Sequence, residues 1–283
     1  MAVHNDVHAT GGDAAPDAGS RLVPETVPVP AATPTSTFSG TLLRRLQPWL
    51  PTRAARAWFA AFVVVALVQL VADVVPSSGW DVAGVTQWLL MPLLVATLWC
   101  ATTAPRPRIV RLVIVALLWS WAGDVVPSFV PDSVSFPVLM GLFLGAQVSY
   151  VRAFAPYREG SVLRTRRAVV VAYGVVYVVV VGAAAAALLP QGAAGVAIVV
   201  GIVVYGALLV TMAVLATGVD RLAGIGGALF LVSDGLIGIG QAMPDAIGAL
   251  PPGVHEFAVM LTYIAAQTFL AAGVRRRSVG GQI

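Results

Sequence analysis

Eight long apolar runs alternate with short polar connectors along this chain, near residues 57–75, 82–102, 109–126, 134–154, 168–189, 193–217, 222–241 and 254–274. Each is close to the roughly 20 residues that a helix needs to cross the hydrocarbon core of a bilayer. The pattern predicts an all-α fold, a polytopic bundle of about eight transmembrane spans.

Inside the runs, the polar residues fall on stripes at helical spacing. Ser120 and Asp124 are four apart, and Phe230, Ser233 and Asp234 stand at i, i+3 and i+4. Phe143, Gln147, Tyr150 and Phe154 follow one another at four, three and four. Tyr263 and Gln267 are four apart, and Tyr205 precedes Met212 by two turns. Each stripe crosses an otherwise aliphatic surface, so the simplest packing turns them all toward one interior. Gly123, Gly226, Gly227 and Gly235 flank the two aspartates and are expected to let helices approach closely there. The competing reading, for each serine, glutamine or tyrosine taken singly, is an interhelical hydrogen bond and nothing more.

The segment Asp73-Val-Val-Pro-Ser77 at the end of the first span recurs as Asp124-Val-Val-Pro-Ser128, 51 residues later. The echo fits a remnant of a parallel duplication and fits chance in an Ala/Val-rich chain equally well. Asp73, beside Pro76, reads as a solvated end residue.

Composition agrees with the pattern. Of the 283 residues, 58% are hydrophobic and 11% charged, against about 25% charged in soluble domains, and the mean hydropathy is +0.88. A soluble globular class is excluded. All 17 basic residues are arginine, and those of the spans and connectors precede span one or follow spans two, four, six and eight. The intervening connectors carry Asp81, Asp132, Asp245 and Glu256 instead. By the positive-inside rule both termini are expected in the cytoplasm of a multi-pass cell-membrane protein. The basic balance therefore sets topology and does not point to nucleic acid.

Residues 1–50, rich in Ala, Pro, Thr, Gly and Ser without apolar period, read as a disordered cytoplasmic tail, and residues 51–278 as the eight-helix domain. The tail has no early apolar h-region, which predicts no cleaved signal peptide. Cys100 is the only cysteine, and His4, His8 and His255 are scattered. An internal disulfide, a cysteine-based metal cluster and a histidine zinc site are all excluded.

A carboxylate in hydrocarbon costs roughly 2.5 to 3.5 kcal/mol even on lenient insertion scales, so Asp124 and Asp234 each need a partner or a task. No arginine is placed to pair with either. Two carboxyls side by side do not readily ionise together, and one of them is expected to keep the proton that a general acid requires. The expectation is that these two acids meet across the bundle and do proton chemistry on a lipid.

The same residues carry a resemblance. Ser120 with Gly123-Asp124, Phe143 with Tyr150 and Phe154, Tyr205 with Met212, Gly226 with Phe230 and Ser233-Asp234, and Tyr263 with Gln267 and Gly273 recur in the order and spacing of the YhhN family, the membrane lysoplasmalogenases. The chain resembles that family from about residue 80 to 273. Two positions depart from it. Gln147 stands where the family has a histidine, and Gln87-Trp88 stand where it has Lys-Pro, both of which bear on substrate choice.

The resemblance implies hydrolysis of the alkenyl ether bond of a lysoplasmalogen, drawn as a lysolipid from the bilayer, to a fatty aldehyde and a glycerophospho head group. It implies no metal and no cofactor, and no protein partner is inferable from the sequence. Asp124 and Asp234 are then the catalytic pair, with Ser120, Gln147, Tyr150, Tyr205, Ser233, Tyr263 and Gln267 orienting them or the substrate. Two other functions use the same acids. One is a proton-coupled transporter, although no clear inverted repeat or interrupted span pair is present. The other is a non-catalytic lipid-binding protein with the acids as helix glue.

Overall fold

The computed structural model describes residues 49–75 and 81–280. The tail expected over residues 1–50 lies outside the described residues except for Trp49 and Leu50. The described residues contain no strand and eight helices long and apolar enough to cross a membrane. They are α1 (Arg53–Val74), α2 (Val82–Ala101), α3 (Arg108–Val125), α4 (Asp132–Phe154), α5 (Arg167–Leu188), α6 (Ala193–Ala216), α7 (Arg221–Ala242) and α8 (Val254–Gly280). In hydrocarbon every backbone N–H and C=O must be satisfied within its own segment, which is why apolar runs of this length become helices.

The ends follow local chemistry. Thr52 caps α1 by accepting from the Ala55 N–H at 3.0 Å, Asp81 caps α2 through Gly84 at 2.8 Å, and Asp220 caps α7 through Leu222 at 2.8 Å. Pro127 lies in a tight 3-10 turn, Val126–Phe129, that ends α3. The expected spans agree with these helices to within about a turn, apart from the last. There α8 runs on to Gly280 rather than stopping at Val274, because Arg276 and Arg277 have partners beyond the apolar part. Arg276 reaches Asp220 at 3.7 Å and Arg277 lies over the Tyr157 ring at 4.9 Å.

The helix α8 is the centre of the bundle, packed along α7 and also against α1, α2 and α3. Around it, α1, α2, α3 and α4 follow in order, but α4 then packs on α6, because α5 lies outside against α6 and α7. In α5 only Ala184 and Leu188 are buried. The α7–α8 contact is close because two glycines face the opposite backbone. A Cβ on Gly226 would lie 2.7 Å from Leu270 N, and one on Gly273 2.5 Å from Ala223 N. The arginine-bearing connectors gather at one end of the bundle, tied by Thr52 Oγ1 donating to Cys100 O at 2.9 Å and Val162 N donating to Thr217 Oγ1 at 2.9 Å.

Candidate functional site

Four aromatic rings fill the middle of the bundle. Phe143 and Tyr150 come from α4, Phe230 from α7 and Tyr263 from α8, with centroids 5.9 to 6.3 Å apart and planes nearly perpendicular. Edge-to-face packing of this kind suits the ring quadrupoles and holds each ring in a fixed attitude. Gly123 makes room for it, since a Cβ there would come within 2.6 Å of the Phe143 ring.

Both aspartates approach this cluster, each held by its own tyrosine. Asp124, at the end of α3, is 7% exposed and accepts a hydrogen bond from the Tyr263 hydroxyl at 2.8 Å. Gln87 of α2 approaches the same carboxyl. Asp234, in the middle of α7, accepts from the Tyr205 hydroxyl of α6. Neither carboxyl bonds the other, and neither has an ion-pair partner among the described residues.

A second string of hydrogen bonds joins α4, α8 and α3. The Tyr150 hydroxyl donates to Gln267 Oε1 at 2.6 Å, and Gln267 Nε2 donates to Ser120 Oγ at 3.1 Å. All three side chains are fully buried, so the string satisfies polar groups that hydrocarbon would otherwise penalise. Gln147, one turn from Phe143 and Tyr150 on α4, is also fully buried and lies beside Tyr205. Neither of its amide atoms makes a hydrogen bond of ordinary geometry among the described residues, although the Tyr205 hydroxyl is near enough to interact with it. Buried polar groups are rarely left so.

The stripes therefore converge as their periodicity implies. Ser120, Gln147, Tyr150, Tyr205, Tyr263 and Gln267 share one interior with Asp124 and Asp234. Ser233 is the exception: its hydroxyl donates to the Val259 carbonyl at 3.1 Å and joins α7 to α8.

Two readings need correction. Gly235 does not serve close helix contact, since nothing lies within 4 Å of a Cβ built on it, whereas Gly123, Gly226 and Gly227 do. Asp73 is not simply solvated. Its Oδ1 accepts from Gln69 Nε2 at 2.8 Å, and Thr86 Oγ1 donates to Gln69 Oε1 at 2.6 Å, a small network of α1 and α2.

The sequence did not announce the space next to Asp234. A cavity of about 680 Å³ lies between α4, α5, α6 and α7, with walls of Phe, Leu, Val, Ile, Ala, Met and Gly side chains apart from Tyr177, Tyr205 and Asp234. Asp234 is half-buried and lines it, while Asp124 does not. The role of Gln87 beside Asp124 was also missed. Its one signal is an amide within an apolar run.

An all-helical bundle of eight membrane-length helices around a buried polar and acidic interior defines a multi-pass membrane protein. A family model matches residues 82–274, from the first residue of α2 to Val274 in α8, just before the three arginines. The chain belongs to the YhhN family. Every polar residue of the central site lies inside the matched segment, and Asp73 lies outside it. No curated protein and no solved structure matches the chain.

Proposed function

We propose that this protein is a membrane hydrolase that cleaves the alkenyl ether bond of single-chain ether lipids by acid chemistry at Asp234, with Asp124 supplying negative charge from behind the aromatic cluster. The observation that supports this most directly is the carboxyl of Asp234, fixed by Tyr205 on the wall of an apolar cavity between α4, α5, α6 and α7. A proton donor and a hydrocarbon-lined space are the two things an alkenyl ether requires.

The protonated carboxyl of Asp234 gives its proton to the chain carbon once removed from the ether carbon. The alkene electron pair becomes the new C–H bond, and positive charge is left shared between the other alkene carbon and the ether oxygen. The resulting carboxylate and the charge of Asp124 stabilise that cation, as paired carboxyls do for the oxocarbenium ion of glycoside cleavage. Water adds to the cationic carbon and returns a proton to Asp234, which regenerates the acid. The hemiacetal then splits: its hydroxyl proton passes to the glycerol oxygen, the C–O bond breaks, and an aldehyde and an alcohol result. One water is consumed.

Purified protein in detergent, given an alkenyl lysophospholipid and scored for aldehyde, tests the reading. Wild type is expected to release aldehyde, and Asp234→Asn to lose on the order of a hundredfold or more, the usual weight of a positioned general acid. Failure of wild type on several alkenyl lysolipids overturns the hydrolase, and proton-driven uptake by vesicles in its place would indicate a carrier.

A further inference from the structure

Phe143 belongs to two places at once. It is one of the four central rings, and it also forms part of the wall of the cavity that Asp234 lines. Its neighbour in the ring cluster, Phe230, precedes Asp234 by one turn of α7, and the two ring centroids are 6.3 Å apart. Phe143 therefore meets the cavity at the end where the carboxyl lies. The same ring lies against Gly123, where a Cβ would come within 2.6 Å of it.

The other aromatic side chains of the wall are engaged or remote. Tyr205 is tied to Asp234 through its hydroxyl, and the Tyr177 hydroxyl donates to Val203 O at 3.0 Å with its ring against Gly206. Phe136 lies two turns further along α4, toward the arginine-free end. Apart from these rings and Asp234, the wall is built of Leu, Ile, Val, Ala, Met and Gly. A positive charge formed in such a space meets few dipoles. The face of an aromatic ring is negative, and it attracts a cation within about 6 Å of its centroid, more strongly where water is excluded. Packing against Phe230 at 77° and Tyr263 at 72° fixes the attitude of the Phe143 ring.

We propose that Phe143 is a further catalytic residue, whose ring face stabilises the positive charge that forms beside Asp234. This role rests on the alkenyl ether cleavage proposed above. Proton transfer from Asp234 leaves the charge shared between the second alkene carbon and the ether oxygen; Phe143 forms no bond and takes no proton, and it attracts that charge until water adds. The competing role is that of a core ring, since Phe143 is 5% exposed and belongs to the hydrophobic core of the bundle. A core ring needs only its shape and its apolar surface. The electron density of its face matters to a cation.

Replacing Phe143 by mono-, di- and trifluorophenylalanine separates the two roles, because each fluorine withdraws electron density from the ring face and changes the ring's size little. Aldehyde turnover is expected to fall in steps along the series. The total loss from phenylalanine to the trifluoro ring is expected to be about tenfold or more, the weight of a cation–π contact away from water. The same series at Phe62, a buried ring of α1 outside the cavity wall, is expected to leave turnover unchanged. Thermal midpoints are measured for every variant. If the trifluoro ring prevents folding, the nearly isosteric monofluoro ring carries the test, with an expected loss of about twofold.

A second readout needs no turnover. A single-chain lipid with a secondary ammonium in place of the cationic carbon is compared with its neutral ether counterpart, and the preference for the ammonium is expected to shrink along the series at residue 143. Turnover that stays flat along the series, in a protein that releases aldehyde, overturns the role of the ring and leaves the hydrolase reading standing. A flat ammonium preference overturns it as well. An ammonium preference that follows the fluorines, in a protein that releases no aldehyde, removes the hydrolase and keeps Phe143 as a ring that faces cations.

Discussion

The Tyr263 hydroxyl donates to Asp124 across 2.8 Å, joining α8 to α3 between residues 139 positions apart. Interhelical hydrogen bonds in membranes average only about 0.6 kcal/mol, roughly threefold in a folding equilibrium. That small value separates two roles. Tyr263→Phe keeps the ring among Phe143 and Phe230 and removes only the hydroxyl, so the thermal midpoint in detergent should barely move. On the proposed mechanism aldehyde turnover is expected to fall by about tenfold or more, since the carboxyl of Asp124 is no longer held in place. Turnover within about threefold of wild type would reduce Tyr263 to a helix contact.

Gln147 supports a prediction in which stability and activity move in opposite directions. A buried polar group without a partner costs about 1–3 kcal/mol, and Gln147 has two such atoms. Gln147→Leu removes both and leaves an apolar side chain of similar size. The thermal midpoint is expected to rise, and turnover to fall, because Gln147 lies beside Tyr205, which holds Asp234. A lower midpoint would show that the amide is satisfied in the folded protein.

The spans were legible in the sequence because a bilayer imposes both a length and an internally bonded backbone, and the eight apolar runs answer both demands. The shared interior was legible because a 3.6-residue period marks one face of each helix, which is how Ser120 with Asp124 and Tyr263 with Gln267 were found. The difference between the two aspartates was not. It depends on α5 lying outside the bundle, so that α4 meets α6 and a cavity opens beside Asp234. Nothing in a stripe encodes which neighbour a helix will skip. Gly235 shows the same limit: it stands next to an acid in sequence like Gly123, yet borders the cavity while Gly123 admits the Phe143 ring.

The α7–α8 contact gives a prediction about folding alone. An added methyl on Gly226 would meet Leu270 N at 2.7 Å and Ala266 O at 2.8 Å, backbone atoms that do not yield as a flexible side chain does. Gly226→Ala is expected to destabilise by about 1–3 kcal/mol, the usual range for overpacking, despite alanine's better helix propensity of about 1 kcal/mol. Gly174→Ala, with nothing within 4 Å, should be neutral or slightly stabilising. Thermal midpoints of the two variants in one detergent check the sign, and equal behaviour would mean that α7 and α8 separate easily.

The repeated Asp-Val-Val-Pro-Ser segment places Asp73 and Asp124 in matching sequence contexts, and the surrounding helices give them different partners. Asp73 accepts from Gln69 one turn earlier on its own helix, within a network completed by Thr86 on α2. Asp124 accepts from Tyr263 and adjoins the aromatic cluster. An asparagine at residue 73 still offers an oxygen to Gln69, so Asp73→Asn is expected to leave both stability and aldehyde turnover within about twofold of wild type, as for substitutions that break no network. On the proposed mechanism Asp124→Asn removes the charge that steadies the cation, and a loss of about tenfold or more is expected there, with folding retained. Parallel turnover assays of the two variants decide whether the echo is functional. Equal losses would mean that the α1–α2 network takes part in the reaction and that the site extends beyond the central rings.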